Sequence, residues 1–272
     1  MVYKEYEKTA SEIRRKIIGM AYNSKGSHIG SALSIVDILA VLYFKILKIN
    51  PEKPDWDERD RFILSKGHSA SALYATLAQK GFFSEDVLDE YCVDGSRLEG
   101  HTNLNCVPGV EATTGSLGHG LPIGAGIALV GKCDKKDYRV YVLMGDGECD
   151  EGSVWEAAMF ASQHKLDNLV VIIDYNKLQA FGNTKDVINL EPFSERWKSF
   201  GWRAVEINGH DFLDIIKALE NVPFEKGKPS VVIAHTIKGK GISFMENMLE
   251  WHYKSLNEEL YKKAIGELKN EA

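Results

Sequence analysis

The sequence has few cysteines and no long apolar segment. Its 272 residues include four cysteines, at positions 92, 106, 133 and 149, and none of them forms a C-x-x-C pair. We therefore expect neither a disulfide framework nor a zinc site, and a cytoplasmic location is the default. The longest apolar run, 33–47, contains Asp37 and Lys45 and is shorter than the ~18 to 20 residues that a membrane span needs. The charged amino terminus has no apolar signal-peptide core.

The chain also lacks an excess of basic residues. Lys and Arg number 33 against 39 Asp and Glu, which gives a net charge of −6. This balance provides no chain-wide basic surface, so we expect neither a nucleic-acid nor a membrane partner. A content of 44% hydrophobic and 26% charged residues is ordinary for a globular protein and excludes intrinsic disorder. No boundary is visible, and we predict a single domain over residues 1–272.

Strands and helices alternate along the second half of the sequence. The predicted strands are 61–64, 138–144, 169–174, 204–207 and 230–234, and the predicted helices are 2–20, 34–47, 70–79, 151–164, 212–219 and 256–272. Ser34 is the predicted N-cap of the second helix, and segments 26–31 and 95–120 are predicted loops. This alternation predicts an α/β fold, a parallel sheet with helices on both faces.

Two oxygen-bearing side chains follow neighbouring strands of the predicted sheet. Asp146 lies between Gly145 and Gly147 directly after one strand, and Asn176 follows the next. Ligands of open parallel sheets bind beyond the carboxyl ends of the strands. Such oxygens suit Mg²⁺ or Ca²⁺, and Mg²⁺ completes its coordination with phosphate oxygens and water. The pair predicts a site for a metal and a diphosphate, although Gly-Asp-Gly alone is also typical of a tight turn.

The stretch from Gly145-Asp146-Gly147 to Asn176 resembles the thiamine diphosphate signature, and nearly the whole chain resembles the diphosphate-binding domain of transketolases. Other motifs similar to those of the family are Lys25-Gly-Ser-His28-Ile-Gly30, Asp60-Arg-Phe-Ile-Leu-Ser-Lys-Gly-His68, Gly100-His101 before Pro108-Gly-Val-Glu111, Thr114-Gly-Ser-Leu-Gly118, and Lys238-Gly-Lys-Gly-Ile before Trp251-His252. Each motif is short and weak alone, but six in the family's order make a strong signal.

The resemblance implies that the site binds thiamine diphosphate with Mg²⁺, for which Ca²⁺ or Mn²⁺ could substitute. It implies that Asp146, the Asn176 side chain and the Leu178 carbonyl hold the metal. The residues that it implies for cofactor binding are His68, Gly115, Ser116, Leu117, Gly145, Asp146, Gly147, Glu151, Asn176 and Lys238. Among these, segment 115–118 would approach the aminopyrimidine and Lys238 would neutralise phosphate charge.

Histidines occur beside glycines in the first half of the chain. His28, His68, His101 and His119 each lie next to a glycine or one residue away from it. Imidazoles titrate near neutral pH and suit proton transfers among the hydroxyl groups of a sugar. The resemblance implies that His28, His101 and His252 are catalytic, because they would line the substrate channel and contact the donor's reacting hydroxyls.

The resemblance also implies a partner chain. A transketolase carries, after this domain, a pyrimidine-binding domain that supplies a glutamate to the aminopyrimidine ring, and a C-terminal domain. This sequence holds no second α/β pattern. We therefore expect the N-terminal subunit of a split transketolase, assembled as α2β2. With its partner it would transfer a two-carbon ketol (glycolaldehyde) unit from a ketose phosphate to an aldose phosphate, as in the pentose phosphate pathway.

Three alternatives remain open from the sequence. The first is another thiamine diphosphate enzyme, either a 2-oxoacid dehydrogenase α subunit or half of a deoxyxylulose-phosphate synthase. The histidine set favours a sugar donor over these. The second is a split transketolase that acts on an unusual sugar phosphate. The third is a non-catalytic partner that binds the cofactor, against which the retained metal ligands argue.

Overall fold

Five parallel strands form the centre of the computed structural model, which describes residues 3–270. The strands are β1 (Arg61–Leu64), β2 (Val140–Gly145), β3 (Leu169–Tyr175), β4 (Arg203–Asn208) and β5 (Ser230–His235). Their order in the sheet is β1-β2-β3-β5-β4, and every neighbouring pair is parallel. The register places Gly145 beside Asp174 and Asp174 beside Ala234. The carboxyl ends of the three central strands therefore meet at one edge.

Helices cover the two faces of this sheet. The α-helices are α1 (Lys4–Ser24), α2 (Ile29–Leu33), α3 (Val36–Val41), α4 (Ala70–Lys80), α5 (Gly120–Cys133), α6 (Gly152–Gln163), α7 (Thr184–Val187), α8 (Phe193–Ser199), α9 (Phe212–Glu220) and α10 (Glu258–Asn270). A π-helical turn covers Leu42–Ile46, and 3₁₀ turns cover Gly67–Ser69, Glu85–Glu90, Gly147–Asp150 and Leu249–His252. No helix within residues 3–270 combines the length and the apolar character that a membrane crossing requires.

Alternate strand side chains face two separate hydrophobic cores, as the period of two in a strand requires. Tyr141 and Leu143 of β2 pack into the core that contains residues of α1, α3, α4, α9 and α10. Val140 and Val142 of the same strand pack into the core formed with α5, α6 and α8. The prediction of a parallel sheet with helices on both faces is thereby confirmed.

The prediction of one continuous helix over 34–47 with Ser34 as its N-cap is wrong. Ser34 instead ends α2, and its hydroxyl donates to the Ser31 carbonyl at 2.9 Å and to Asp174 Oδ2 at 2.7 Å. Ile35 leaves helical geometry, with ψ at 0°. The hydroxyl is therefore used for a tertiary contact, and the apolar run is divided into α2, α3 and the π turn. The end of the predicted loop over 26–31 is correspondingly helical.

The sequence does not predict helix α5, which contains four glycines and begins at the last residue of the predicted loop over 95–120. The structure uses some of them for close packing on the sheet. The Cβ atom that Gly124 lacks would lie 2.6 Å from Val142 Cγ2, and that of Gly131 would lie 2.8 Å from the Tyr138 ring. Gly124 thus allows a close approach to β2, and Gly131 allows one to Tyr138 just before that strand. Helices α7 and α8 were also not expected.

The remaining elements agree with the sequence within a few residues. Each predicted strand has its counterpart, and the predicted helices over 70–79, 151–164 and 212–219 correspond to α4, α6 and α9. The helices predicted over 2–20 and 256–272 correspond to α1 and α10. Residues 1, 2, 271 and 272 of those predictions and of the predicted domain lie outside the described residues. Helix α10 packs on α1, where the Ser11 hydroxyl donates to the Leu268 carbonyl at 3.3 Å.

Candidate active site

The carboxyl ends of β1, β2, β3 and β5 surround a cavity of about 300 Å³. It is lined by Ser31, Lys66, His68, Leu117, residues 145–148, Asn176, residues 178–181, Lys238, His252 and Tyr253. Asp146 and Asn176, the two polar residues that the sequence places at strand ends, therefore line one cavity, as the parallel register requires.

Asp146 is a buried carboxylate held by backbone groups. Its Oδ1 accepts from the Gly147 N–H at 2.7 Å and its Oδ2 from the Lys177 N–H at 2.6 Å. Burial, together with the nearby Asp174 carboxylate, raises the pKa of Asp146 to about 7. A negative charge at this position is therefore under-compensated, and a bound cation would stabilise it.

The side chain of Asn176 is fixed at both ends of its amide. Its Nδ2 donates to Asp174 Oδ2 at 2.9 Å, and its Oδ1 accepts from the Leu178 N–H at 3.0 Å. The Leu178 carbonyl accepts from Lys238 Nζ at 3.1 Å. The three predicted metal ligands thus occur as a carboxylate, an amide oxygen and a backbone carbonyl around the same cavity.

Two lysines bring positive charge to this cavity. Lys66 and Lys238 both line it, although each side chain is almost fully buried. Lys66 is paired with the buried Asp174. Burial and the neighbouring Lys66 lower the pKa of Lys238 to about 8. That value keeps most of Lys238 protonated at neutral pH, which suits an anionic ligand such as a diphosphate.

Four histidines predicted for the site come together at the cavity, which His68 and His252 line. The ring centroid of His28 lies 5.3 Å from that of His68, 6.2 Å from that of His101 and 5.1 Å from that of His252. Burial and His101 lower the pKa of His28 to about 4, and burial and Lys238 lower that of His252 to about 3. Burial also lowers the pKa of His68. His119, the remaining histidine that the sequence places beside a glycine, is exposed, and its ring Nδ1 is hydrogen-bonded to the Leu117 carbonyl.

A glycine-rich loop, residues 115–118, closes one side of the site. Buried Glu148 accepts from the Gly118 N–H at 2.9 Å and from the Gly145 N–H at 3.1 Å, and it also accepts from the Ser65 hydroxyl. Gly67 lies against the start of this loop, where a Cβ would be 2.8 Å from the Gly115 nitrogen. The loop is therefore fixed to the ends of β1 and β2.

Some residues predicted for the cofactor lie beside the cavity rather than on its wall. Gly115 packs against the His101 ring, since a Cβ placed on this glycine would lie 3.2 Å from the ring Cδ2. Ser116 is exposed on the loop. Glu151 is exposed at the start of α6 and packs on Gly118. Of the 115–118 loop, Leu117 lines the cavity.

Sequence reasoning missed several residues of the cavity wall. These are Ser31, Lys66, Glu148, Gln179, Ala180, Phe181 and Tyr253. Ser31 follows His28 at helical spacing, but the glycines of segment 26–31 predict a loop there. Lys66 lies in the family-like motif 60–68 and Glu148 in the stretch 145–176, so both motifs could have indicated these residues as part of the site. Phe181 is 84% exposed, and nothing in its local sequence indicates a site.

Comparisons with known proteins match almost the whole chain to one family. The family model "Transketolase, thiamine diphosphate binding domain" matches residues 6–269. The chain is 46% identical over 268 residues to an apulose-4-phosphate transketolase subunit from Phocaeicola vulgatus, covering 98% of this chain and 95% of that protein. It is also 46% identical over 244 residues to 6-deoxy-6-sulfo-D-fructose transketolase subunit SqwG from Clostridium sp., covering 90% of this chain and 89% of that protein.

A solved structure extends the likeness to the fold. Transketolase from Leishmania mexicana superposes with a TM-score of 0.91 at 31% identity, over 97% of this chain and 41% of that one. This chain thus spans about two fifths of the length of that transketolase. Because the family model covers nearly the whole sequence and relatives at 46% identity are matched almost end to end, the chain belongs to the transketolase family.

Proposed function

We propose that this chain is the diphosphate-binding subunit of a two-chain transketolase that uses thiamine diphosphate and Mg²⁺. The observation that carries the proposal is the meeting of Asp146, Asn176 and the Leu178 carbonyl in one cavity with two lysines. With its partner, the chain would transfer a two-carbon ketol unit from a ketose phosphate to an aldose phosphate. The family match favours this function over that of a 2-oxoacid dehydrogenase subunit.

The donor set fits a hard cation bound together with phosphate. Within residues 3–270, no group of three or more His, Cys, Asp or Glu side chains is arranged to hold a metal. A cation at Asp146, Asn176 and the Leu178 carbonyl would therefore need further oxygen ligands. Mg²⁺ takes them from phosphates and water, and a diphosphate would supply them here. Lys238 and Lys66 would offset the remaining negative charge.

The histidines suit the proton transfers of a ketol donor. When bound, thiamine diphosphate supplies the carbon centre that accepts and releases the two-carbon unit. Burial lowers the pKa values of His28 and His252 to about 4 and 3 in the cofactor-free chain, so both imidazoles are neutral at pH 7. A bound anionic donor would raise these pKa values toward neutral, where an imidazole accepts a hydroxyl proton and returns it. We assign this role to His28, His101 and His252, and cofactor binding to His68.

An exposed apolar surface supports the need for a partner. Ile123 and Val130 on α5, and Met159 and Phe160 on α6, are each between 38% and 55% exposed. A groove between these helices is lined mostly by apolar atoms of Pro122, Ala125, Ala157 and Phe160. The buried core of a protein interface is more apolar than the rest of a protein surface. We propose that a partner subunit with the pyrimidine-binding domain covers this surface in a cytoplasmic α2β2 assembly.

The direct test starts from the tagged chain isolated gently from its native host. The eluate is assayed for glycolaldehyde transfer from xylulose 5-phosphate to ribose 5-phosphate, with and without thiamine diphosphate and Mg²⁺. The substrates in the names of the two relatives, apulose 4-phosphate and 6-deoxy-6-sulfofructose, extend the donor panel. Asp146→Ala should abolish cofactor-dependent transfer and leave partner capture unchanged.

The outcomes separate the alternatives. Transfer that disappears when the co-eluting protein is removed supports the two-chain enzyme. Transfer by the stripped chain alone would contradict the need for a partner. No transfer from an eluate that contains a second thiamine-fold protein would move the assignment to another donor, with pyruvate tested next. Light scattering on the active eluate measures the proposed α2β2 mass.

A further inference from the structure

A buried carboxylate behind the cavity makes contacts that the proposed chemistry does not use. Asp174 lies at the carboxyl end of β3, is fully buried and does not line the cavity. Its Oδ2 accepts from the Ser34 hydroxyl at 2.7 Å and from Asn176 Nδ2 at 2.9 Å. It also binds the Lys66 ammonium group and the Thr236 hydroxyl. One side chain thereby joins segments that follow β1, β3 and β5.

The contact between Asp174 and Asn176 determines how the Asn176 amide is oriented. A carboxylate accepts hydrogen bonds only, so it requires the NH₂ end of the amide. The Leu178 N–H donates only, so it requires the oxygen end, and it lies 3.0 Å from Asn176 Oδ1. A flipped amide would place its oxygen against the Asp174 carboxylate and its NH₂ group against the Leu178 N–H, and neither pair can form a hydrogen bond. Asp174 and the Leu178 N–H therefore specify the same orientation.

In this orientation the NH₂ group faces Asp174, and the amide oxygen is the end turned away from that carboxylate. An amide oxygen has two lone pairs, and the Leu178 N–H takes one of them. The second remains for a cation, whereas a flipped amide would offer N–H groups that repel it. Groups that orient a metal ligand from behind typically change metal affinity 10- to 100-fold when they are removed.

We infer that Asp174 is a positioning residue, which holds the Asn176 amide with its oxygen toward the metal of the cofactor site. This inference rests on the proposed function, because it assumes a divalent cation bound with thiamine diphosphate. It assigns Asp174 no contact with cofactor or substrate. Its effect is on cation affinity, through the direction in which one amide points.

The test variant removes the carboxylate without leaving a buried charge. Asp174→Leu with Lys66→Met replaces the buried ion pair by apolar side chains of similar size, a change that is often neutral for stability. Ser34 keeps its bond to the Ser31 carbonyl at 2.9 Å. Ser34→Ala is the matched control, because it removes another donor to Asp174 Oδ2 and leaves the Asn176 contact in place.

Asn176→Asp distinguishes positioning from a structural role. A carboxylate at 176 presents an oxygen whichever way it is turned, so it does not need Asp174. In the native background Asp174 already holds the amide in place, so the gain in Mn²⁺ affinity from the added charge should be small. In the Asp174→Leu, Lys66→Met background the substitution should also restore the missing oxygen ligand. The same substitution is thus expected to raise Mn²⁺ affinity much more in the second background than in the first.

The measurement is the affinity for Mn²⁺, followed by the loss of the free-ion resonance signal at saturating thiamine diphosphate. The protein is the full chain with its co-purifying subunit. We expect the double variant to bind Mn²⁺ roughly 10- to 100-fold more weakly, and Ser34→Ala to stay within about twofold, as for a change outside the site. Melting curves and partner capture verify that each variant is folded.

The outcomes distinguish this inference from the proposed function. If the native complex binds Mn²⁺ independently of thiamine diphosphate, both are overturned. If the native complex binds it as proposed but the double variant binds equally well, the positioning role alone is overturned. The positioning role is also overturned if Asn176→Asp changes Mn²⁺ affinity by the same factor in both backgrounds. Recovery of Mn²⁺ binding by Asn176→Asp in the double variant supports the inference.

Discussion

The ammonium group of Lys238 lies 2.9 Å from Nδ1 of His252. An ammonium group donates hydrogen bonds only, so Nδ1 is the acceptor and the proton of the neutral imidazole is on Nε2. Lys238 also donates to the Leu178 carbonyl at 3.1 Å. A single lysine therefore connects a predicted catalytic histidine with a predicted metal ligand.

Lys238→Met should weaken cofactor binding and raise the pKa of His252. The first effect follows from loss of a buried cation beside the diphosphate position, and we expect roughly tenfold or more in thiamine diphosphate affinity. The second follows because Lys238, after burial, is the main cause that lowers this pKa. Calorimetry and a titration of the His252 ring by NMR measure the two effects. Lys240→Met, on the same segment and paired with Glu246, is the control and should change neither.

Cation affinity should depend on pH through Asp146. Burial and the nearby Asp174 raise the pKa of Asp146 to about 7, so protons compete with the metal below that pH. The dissociation constant should rise by about tenfold per pH unit as pH falls below 7. The check is Mn²⁺ affinity at saturating thiamine diphosphate from pH 8 to 5.5, with free thiamine diphosphate as the reference. An affinity that is flat over this range would contradict the prediction.

Glu148→Gln should destabilise the chain and loosen the 115–118 loop. The native carboxylate accepts from the N–H groups of Gly118 and Gly145, whereas an amide presents an NH₂ group to one of them. An unpaired buried group lowers the free energy of unfolding by about 1–3 kcal/mol. Urea unfolding of the cofactor-free chain measures this. Glu195→Gln, which breaks a surface pair with Lys198, should stay within about 0.5 kcal/mol of the native value.

Two glycines should respond oppositely to alanine. At Gly67 a Cβ would lie 2.7 Å from Thr114 Oγ1 and 2.8 Å from the Gly115 nitrogen, so Gly67→Ala should displace the loop and weaken thiamine diphosphate binding. At Gly19, in α1, a Cβ would meet no atom within 4 Å. Gly19→Ala should stabilise the chain by about 0.5–1 kcal/mol. Thermal melts and calorimetry on both variants test this, and equal effects would refute it.

The local sequence predicted much of the fold because the relevant signals are short in range. The apolar runs of β2, β3 and β5 identify buried parallel strands by composition alone. Asp146 and Asn176 follow two of these strands, and the parallel register then brings them to the same edge. Their meeting in one cavity was predictable for that reason. Their roles in binding metal and cofactor remain predictions.

Tertiary contacts decided the rest. The glycines of α5 are typical of loops, and only the packing of the helix on β2 explains them. Ser34 is typical of an N-cap, but its hydroxyl donates a hydrogen bond to Asp174 in the folded chain. The orientation of the Asn176 amide likewise depends on Asp174, which the sequence alone did not indicate as important. The sequence by itself determined which residues stand at the strand ends. Only the tertiary structure decided how the side chains of these residues are oriented, because a buried hydrogen-bonding group finds its partners on distant segments of the chain.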